Sequence, residues 1–162
     1  MMTRQIITNG IKGLLPALSL ISISLRTQAQ SDRIHTPAQK SDGKTAIHFV
    51  DDKWNAALEQ ARKTGRYILV DAYAVWCGPC KVLKQTTFTD KAAADFFNTQ
   101  FINVAIDVEK GEGPALTARW KIKALPTLLI FDPQGKQVAE SIGYIDAAKL
   151  IALGKKALSV NK

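Results

Sequence analysis

Residues 70–85 read VDAYAVWCGPCKVLKQ and contain both cysteines of the 162-residue chain, Cys77 and Cys80. The run before them, RYILVDAYAV (66–75), is largely apolar and is typical of a strand that a parallel sheet buries on both faces. The run that begins at the second cysteine, CKVLKQTTF (80–88), predicts a helix. The two thiols therefore lie at a strand-to-helix junction.

Three uses of such a cysteine pair compete. A structural disulfide is a poor explanation, because closing so short a loop constrains the unfolded chain little. A zinc site is a poor explanation too, since the pair supplies two ligands and the histidines, His35 and His48, both lie far upstream. A redox-active dithiol fits the junction between strand and helix. Redox chemistry is the interpretation that we adopt.

The spacing of the motif has a physical basis. Cys77 would lie at a helix N-terminus, where free backbone N–H groups and the helix dipole stabilise a thiolate, the form that attacks disulfides. Cys80 follows one turn later and could resolve the mixed disulfide. Pro79 is tolerated in the first helical turn, and Gly78 would let a partner chain come close to the sulfurs.

The remaining pattern predicts an α/β domain over residues 46–162. Its expected order is β-α-β-α-β-α-β-β-α, a mixed sheet with helices on both faces, in which the helical stretch after the cysteines restarts at Thr89 or Asp90. The predicted strands are AIHFV (46–50), 66–75, FINVAID (101–107), PTLLIFD (126–132) and KQVAESIG (136–143). We expect Asp51 or Asp52 to cap the first helix, Gly65 to end it, and Asp146 to cap the last. The residues DPQG (132–135) predict a tight turn between the last two strands.

These features resemble the thioredoxin family, with WCGPC (76–80) as its active-site motif and similarity over roughly residues 52–158. The resemblance implies a thioredoxin fold in which Leu125, Pro126 and Thr127 form the loop whose cis-proline faces the dithiol. The alternative is a trans proline that begins a strand. Gly143 matches a glycine beside the substrate groove, and Trp76 would shield the dithiol. The longer run 54–81 resembles the secreted thioredoxin-like branch.

Asp71 matches the buried acid of the family. In an apolar strand its pKa would be raised, and it could relay a proton to or from Cys80. The alternative is an acid that turns outward at a strand irregularity. Cys77, Cys80 and Asp71 are thus the expected catalytic residues. Asn103 departs from the family, which has a lysine paired with the acid, and Tyr73 and Val75 replace a tryptophan and an acid, which puts recognition by the cytosolic thioredoxin reductase in doubt.

The N-terminal residues predict a secretory signal peptide at 1–29, with Arg4 and Lys12 before an apolar segment (13–25) and a small-x-small site at Thr27 and Ala29. An uncleaved anchor is the alternative. Cleavage after Ala29 would remove three basic residues and no acid, lowering the net charge from +8 to +5. Residues 30–45 read as a flexible leader. The expected location is the bacterial periplasm.

The remaining positive charge is scattered, without the basic and aromatic pattern of a nucleic-acid surface. We therefore expect no nucleic-acid partner, and no cofactor or metal beyond the cysteine pair itself. Since Gly-Pro supplies no side-chain donor to the thiolate, the disulfide is comparatively stable, which favours a reductase of protein disulfides, such as cytochrome c precursors before haem attachment or misoxidised proteins. Recharging it outside the cytoplasm implies a membrane electron-transfer partner. The alternatives are an oxidase or isomerase and a non-catalytic binding module.

Overall fold

A computed structural model describes residues 46–160 of the chain. The expected signal peptide (1–29) and leader (30–45) lie outside the described residues, as do residues 161–162. The strands are β1 (Val50–Asp51), β2 (Tyr67–Tyr73), β3 (Phe101–Asp107), β4 (Thr127–Phe131) and β5 (Gln137–Ile142). The helices are α1 (Trp54–Thr64), α2 (Gly78–Gln85), α3 (Lys91–Gln100), α4 (Gly113–Trp120) and α5 (Ala147–Ser159).

The strands form one mixed sheet in the order β1-β3-β2-β4-β5. β3 runs parallel to both β1 and β2, whereas β4 is antiparallel to both β2 and β5. β2 and β3 are buried almost throughout, which explains why both read as continuous apolar runs. The architecture is the α/β fold with a central mixed sheet that the sequence predicts.

Alternate residues of the central strands supply two apolar layers. Leu69 of β2 packs in the layer that includes residues of α2, α3 and α5, whereas Ile68 and Val70 pack against residues of α1 and α4. Helices therefore cover both faces of the sheet. The period of two along β2 places Asp71 on the same face as Leu69, under α2.

Several predicted boundaries are confirmed. Gly65 ends α1 with φ +71°, a left-handed conformation that glycine adopts at no steric cost. The side chains of Asp90 and Asp146 cap α3 and α5 by accepting from the N–H groups of Ala93 (2.9 Å) and Lys149 (2.8 Å). The tight turn is also present, because Gly135 N–H donates to the carbonyl of Asp132 at 2.9 Å.

The start of the domain differs from the prediction. β1 is only two residues long, since Ile47 N–H bonds instead to the carbonyl of Phe88 and His48 N–H to the Asn98 side chain. The predicted caps of α1 were wrong. Asp52 Oδ1 accepts from the backbone N–H of Asp107 at 3.0 Å, which joins the segment between β1 and α1 to the end of β3. α1 is therefore left without a side-chain cap.

Candidate active site

The two cysteines lie where the sequence predicts, at the N-terminus of α2. Cys77 is the N-cap residue, and its Sγ accepts from the backbone N–H of Cys80 at 3.2 Å. Gly78 and Pro79 begin the helix, so the proline lies in the first turn, where its missing N–H removes no helical hydrogen bond. Cys77 and Cys80 form a disulfide with their Cα atoms 5.3 Å apart. The structure is therefore that of the oxidised form.

Both cysteines are buried, although Cys77 lines a groove in the surface. Cys77 is 3% exposed and Cys80 2%, whereas the neighbouring Trp76 is 65% exposed. The cysteines pack with Ala74 and with partly buried side chains that include Leu125. A partner's disulfide would thus reach Cys77 through the surface that surrounds it.

That surface is an apolar groove with a volume of about 330 Å³. Its lining residues are Trp76, Cys77, Gly78, Pro79, Val108, Thr117, Ile122, Lys123, Ala124 and Leu125. An added Cβ at Gly78 would meet nothing within 4 Å, so the chain is open to solvent at this position. The groove brings the motif together with the residues after β3, the end of α4 and the loop before β4.

Trp76 is hydrogen-bonded to the segment that follows β3. Its indole N–H donates to the Glu109 carboxylate at 2.9 Å, although the ring remains exposed. The residue after β3, Val108, lies nearby because its N–H donates to the carbonyl of Tyr73 at 2.9 Å. The hydrogen bond to Glu109 restricts how the indole ring can turn at the wall of the groove.

The loop before β4 lies beside the cysteines. The peptide bond between Leu125 and Pro126 is cis. Thr127 holds the loop, since its Oγ1 donates to the carbonyl of Ala124 at 2.7 Å. Gly143 N–H donates to the carbonyl of Pro126 at 2.7 Å, and its φ of +83° favours glycine. Pro126 and Gly143 are thus neighbours, and Leu125 of this loop packs against the cysteines.

Asp71 lies inside the sheet, with a relative exposure of 0%. Neither carboxyl oxygen has a hydrogen-bond partner among residues 46–160. Burial raises the pKa of Asp71 to about 7, against an opposing effect of Lys84. The alternative in which this acid turns outward is therefore wrong. A carboxyl group with a pKa near neutrality can accept or release a proton at physiological pH.

Asn103, which replaces the family's lysine, does not hydrogen-bond to Asp71. Asn103 is paired in register with Leu69, whereas Ala105 is the β3 partner of Asp71. The Asn103 side chain donates to the carbonyls of His48 (3.3 Å) and Phe97 (3.4 Å) and to Oδ1 of Asn98 (3.3 Å). It therefore holds α3 and the segment before β1 rather than the buried acid.

Sequence reasoning missed several residues of this site. They are Val108, Glu109, Thr117, Ile122, Lys123, Ala124 and, near Asp71, Lys84. One signal could have found the first two, because the carboxyl ends of neighbouring parallel strands meet at one edge of a sheet. β2 and β3 are such neighbours, with Tyr73 opposite Asp107.

Within the described part of the chain, no cluster of three or more histidine, cysteine or acidic residues is placed to hold a metal ion. None of the helices between residues 46 and 160 is long and apolar enough to cross a membrane.

The model of the thioredoxin-like domain matches residues 54–158. The chain belongs to the thioredoxin-like family. A solution structure from Bacteroides thetaiotaomicron, provisionally assigned as a disulphide-isomerase, is 35% identical, with a TM-score of 0.63 over 73% of this chain and 98% of that one. A thioredoxin from Thermus thermophilus has a TM-score of 0.63 at 18% identity, over 70% of this chain and 89% of that one, and shows the fold alone.

Curated relatives of this thioredoxin-like chain include the thiol:disulfide interchange protein DsbD of Tatumella citrea, which is 30% identical over 122 residues. The match covers 72% of this chain but 21% of that relative. The chain thus spans about a fifth of the length of the curated relatives that it matches. Thiol–disulfide exchange is the chemistry that family membership and the Cys77–Cys80 disulfide support.

Proposed function

We propose that this chain reduces disulfides in other proteins outside the cytoplasm, with Cys77 as the attacking thiolate and Cys80 as the resolving thiol. The observation that carries the proposal is the position of the pair, with Cys77 at the N-terminus of α2 and at the wall of an apolar groove. A helix N-terminus stabilises a thiolate, and a groove beside it can hold an extended client segment.

The exchange proceeds by two successive attacks of a thiolate on a disulfide sulfur. The Cys77 thiolate attacks one sulfur of a client disulfide, which forms a mixed disulfide and releases the other client sulfur as a thiolate that takes up a proton. Cys80 then loses its proton to the Asp71 carboxylate and attacks Cys77 Sγ, which releases the second client thiolate. That thiolate takes up a proton from solvent as the first one did, and Asp71 returns the Cys80 proton to solvent. The client gains two electrons and two protons, and the chain ends in the oxidised form.

The turn between the cysteines supports reduction as the direction. Gly78 and Pro79 offer no side-chain donor, and the hydrogen bond to Cys77 Sγ comes from the backbone of Cys80. A strong oxidant needs extra stabilisation of its reduced form. A thiolate that lacks such donors favours the disulfide and hence electron donation.

The reduction potential of the Cys77–Cys80 pair tests this direction. We expect a value close to that of thioredoxin, about −270 mV, after equilibration of the full chain with glutathione buffers of graded ratio. A value towards about −120 mV would contradict the proposal and indicate an oxidase or isomerase. The isomerase is the second candidate, because the Bacteroides relative carries that assignment.

Cysteine variants test catalysis against a purely binding role. We expect C77S to lose more than about 99% of the disulfide-reducing activity, since no thiolate remains to attack. C80S should accumulate a mixed disulfide between Cys77 and the client, visible as a band that a reductant removes. Full activity in C77S would mean that the dithiol is not the reacting group, and the non-catalytic binding module would then be favoured.

We further propose that the chain acts in the bacterial periplasm and is recharged by the dithiol of a membrane electron-transfer protein. The signal-peptide pattern at residues 1–29 and the relatives named as interchange proteins support this location. No cofactor other than the cysteine pair is required, since both electrons come from a dithiol. A fusion to alkaline phosphatase, which is active only outside the cytoplasm, should be active, and an inactive but expressed fusion would exclude export.

A further inference from the structure

The buried carboxyl group of Asp71 has no charged partner on the strands beside it. Its β3 neighbour in register is Ala105 and its β4 neighbour is Leu128. Asn103, on the same face of β3, is uncharged and donates elsewhere. Asp107, at the end of β3 on this face, is itself an acid and pairs with Lys110, so a positive charge that acts on Asp71 must come from outside the sheet.

Lys84 supplies that charge from α2. It lies one turn after Cys80, on the helix that covers this face of the sheet, and it is partly buried. Its Nζ lies 3.3 Å from the centroid of the Tyr73 ring, which is a cation–π contact. Tyr73 follows Asp71 by two residues on β2, so both side chains point to the same face. The Tyr73 ring thus holds the ammonium group on the side of β2 that carries Asp71.

Several acids lie near this contact, and one further lysine, Lys110, pairs with Asp107 at 3.3 Å. Burial raises the pKa of Tyr73, and carboxylates raise it further; they are, in decreasing order, Asp107, Asp51, Asp52 and Asp71. The acids at the end of β1, Asp51 and Asp52, favour an ammonium group over the ring, whereas Asp107 already has Lys110 as its partner. Among the described residues Lys84 makes no direct ion pair with Asp71, so it acts through space. Its effect on the carboxyl group opposes that of burial.

We propose that Lys84, held against the ring of Tyr73, is the charge partner of Asp71 and thereby controls proton exchange between Asp71 and Cys80. Lys84 is a positioning residue in this proposal, because it acts through Asp71 and does not touch the client. The proposal rests on the proposed function, in which Cys80 transfers its proton to Asp71 before it attacks Cys77 Sγ. It assigns to α2 the task that a β3 lysine performs in the thioredoxins that this chain resembles.

A carboxyl titration tests the pairing without any activity assay. The oxidised full chain is labelled with ¹³C at aspartate carboxyl groups, the Asp71 signal is assigned with D71N, and its shift is followed against pH. We expect the inflection of K84M to lie roughly half a pH unit or more above that of the wild type, because removal of a nearby positive charge favours the neutral acid. K84R keeps the charge and should titrate with the wild type. Coincident curves for K84M and the wild type would overturn the proposal.

Variants of Tyr73 test how the ammonium group is held. Y73F keeps the aromatic ring and removes only the hydroxyl group. We expect its Asp71 inflection to coincide with that of the wild type and of K84R. Y73L removes the ring and should move the inflection upward, in the direction of K84M. An unchanged inflection in Y73L would overturn the role of the ring.

The rate of exchange tests the consequence for Cys80. The reduced chain is mixed with a small-molecule disulfide, and the rate of formation of the Cys77–Cys80 disulfide is measured from pH 5 to pH 9. We expect the inflection of the profile to move upward in K84M and to return in K84R. If the Asp71 titration moves but the rate profile does not, control of Cys80 is excluded.

The failures of the two proposals are distinguishable. A wild-type chain without exchange activity, but with a shifted titration in K84M, would remove the proposed function and leave the pairing of Lys84 with Asp71. An active wild-type chain with coincident titrations would remove the pairing and leave the proposed function.

Discussion

Burial of Asp71 destabilises its charged form and also gives it a pKa that suits proton exchange. A carboxylate in an apolar sheet loses its hydration, and this burial raises the pKa of Asp71 from 3.8 to about 7. Since the carboxyl oxygens have no hydrogen-bond partner among the described residues, the charged form is destabilising. The same property makes the group able to exchange a proton near neutral pH.

This burial predicts a pH dependence of stability. The folded chain binds a proton at Asp71 between about pH 4 and pH 7 where the unfolded chain has lost it, so stability falls as pH rises through this window. We expect D71N to be more stable than the wild type by about 4 kcal/mol at pH 8, and by much less at pH 4. Urea unfolding of the oxidised proteins at several pH values measures the difference.

A matched control for this prediction is D95N, because Asp95 is exposed and pairs with Lys91 on the surface of α3. Its free energy of unfolding should follow that of the wild type at every pH, within about 0.5 kcal/mol. If the free energies of unfolding of D71N and the wild type differ by the same amount from pH 4 to pH 8, the pKa of Asp71 is the same in the folded and the unfolded chain, which contradicts the prediction.

Among the helices, α5 depends on a glycine for its packing against α3. A Cβ at Gly154 would approach Phe96 Cε1 to 2.7 Å and Phe97 Cζ to 2.9 Å. Both rings belong to a cluster in which Phe97 also packs against Phe101. The glycine therefore allows the close approach of two helices on the face of the sheet that carries the dithiol.

We expect G154A to lower the free energy of unfolding. Overpacking costs about 1–3 kcal/mol, which exceeds the gain of about 1 kcal/mol from alanine in a helix. G78A is the control, since a Cβ there meets nothing within 4 Å, and it should leave the free energy of unfolding unchanged or raise it by up to about 1 kcal/mol. Urea unfolding measures both, and a G154A variant as stable as the wild type would show that α5 shifts at no cost.

For the molecule as a whole, the redox state and the folding equilibrium are linked. A disulfide with a sequence separation of 3 restricts the unfolded chain less than a longer loop would, but its loop entropy still corresponds to about 2 kcal/mol of stability. A strong oxidant reverses this order, because its reduced form is the more stable one. The stability difference between the two forms therefore reports the direction of electron transfer.

We expect the oxidised chain to be more stable than the reduced chain by about 2 kcal/mol. Urea unfolding with and without dithiothreitol measures this difference. The double variant C77S/C80S should be insensitive to the reductant, which controls for direct effects of the reagent. A reduced form that is more stable than the oxidised form would argue against a reductase.

Much of the fold follows from local patterns. The continuous apolar runs of β2, β3 and β4 predict buried strands, because a strand that is covered on both faces does not alternate apolar with polar residues. The helix ends are recognisable too. Asp90 and Asp146 each accept a hydrogen bond from a free backbone N–H at a helix start, and Gly65 ends α1 in a left-handed conformation. The dithiol motif is equally local, since its chemistry needs a strand, a turn and a helix N-terminus within a dozen residues.

Long-range pairing decided the rest. Asp52 reads as a helix cap but accepts from Asp107 N–H, 55 residues away, because β1 and β3 are parallel neighbours. Glu109 reaches Trp76 for the same kind of reason, since β2 and β3 end at one edge of the sheet. Lys84 reads as a solvated helix residue, and only the packing of α2 over Tyr73 brings it near Asp71. Local residue types specify which groups are present, whereas the register between distant strands and helices sets which of them act on one another.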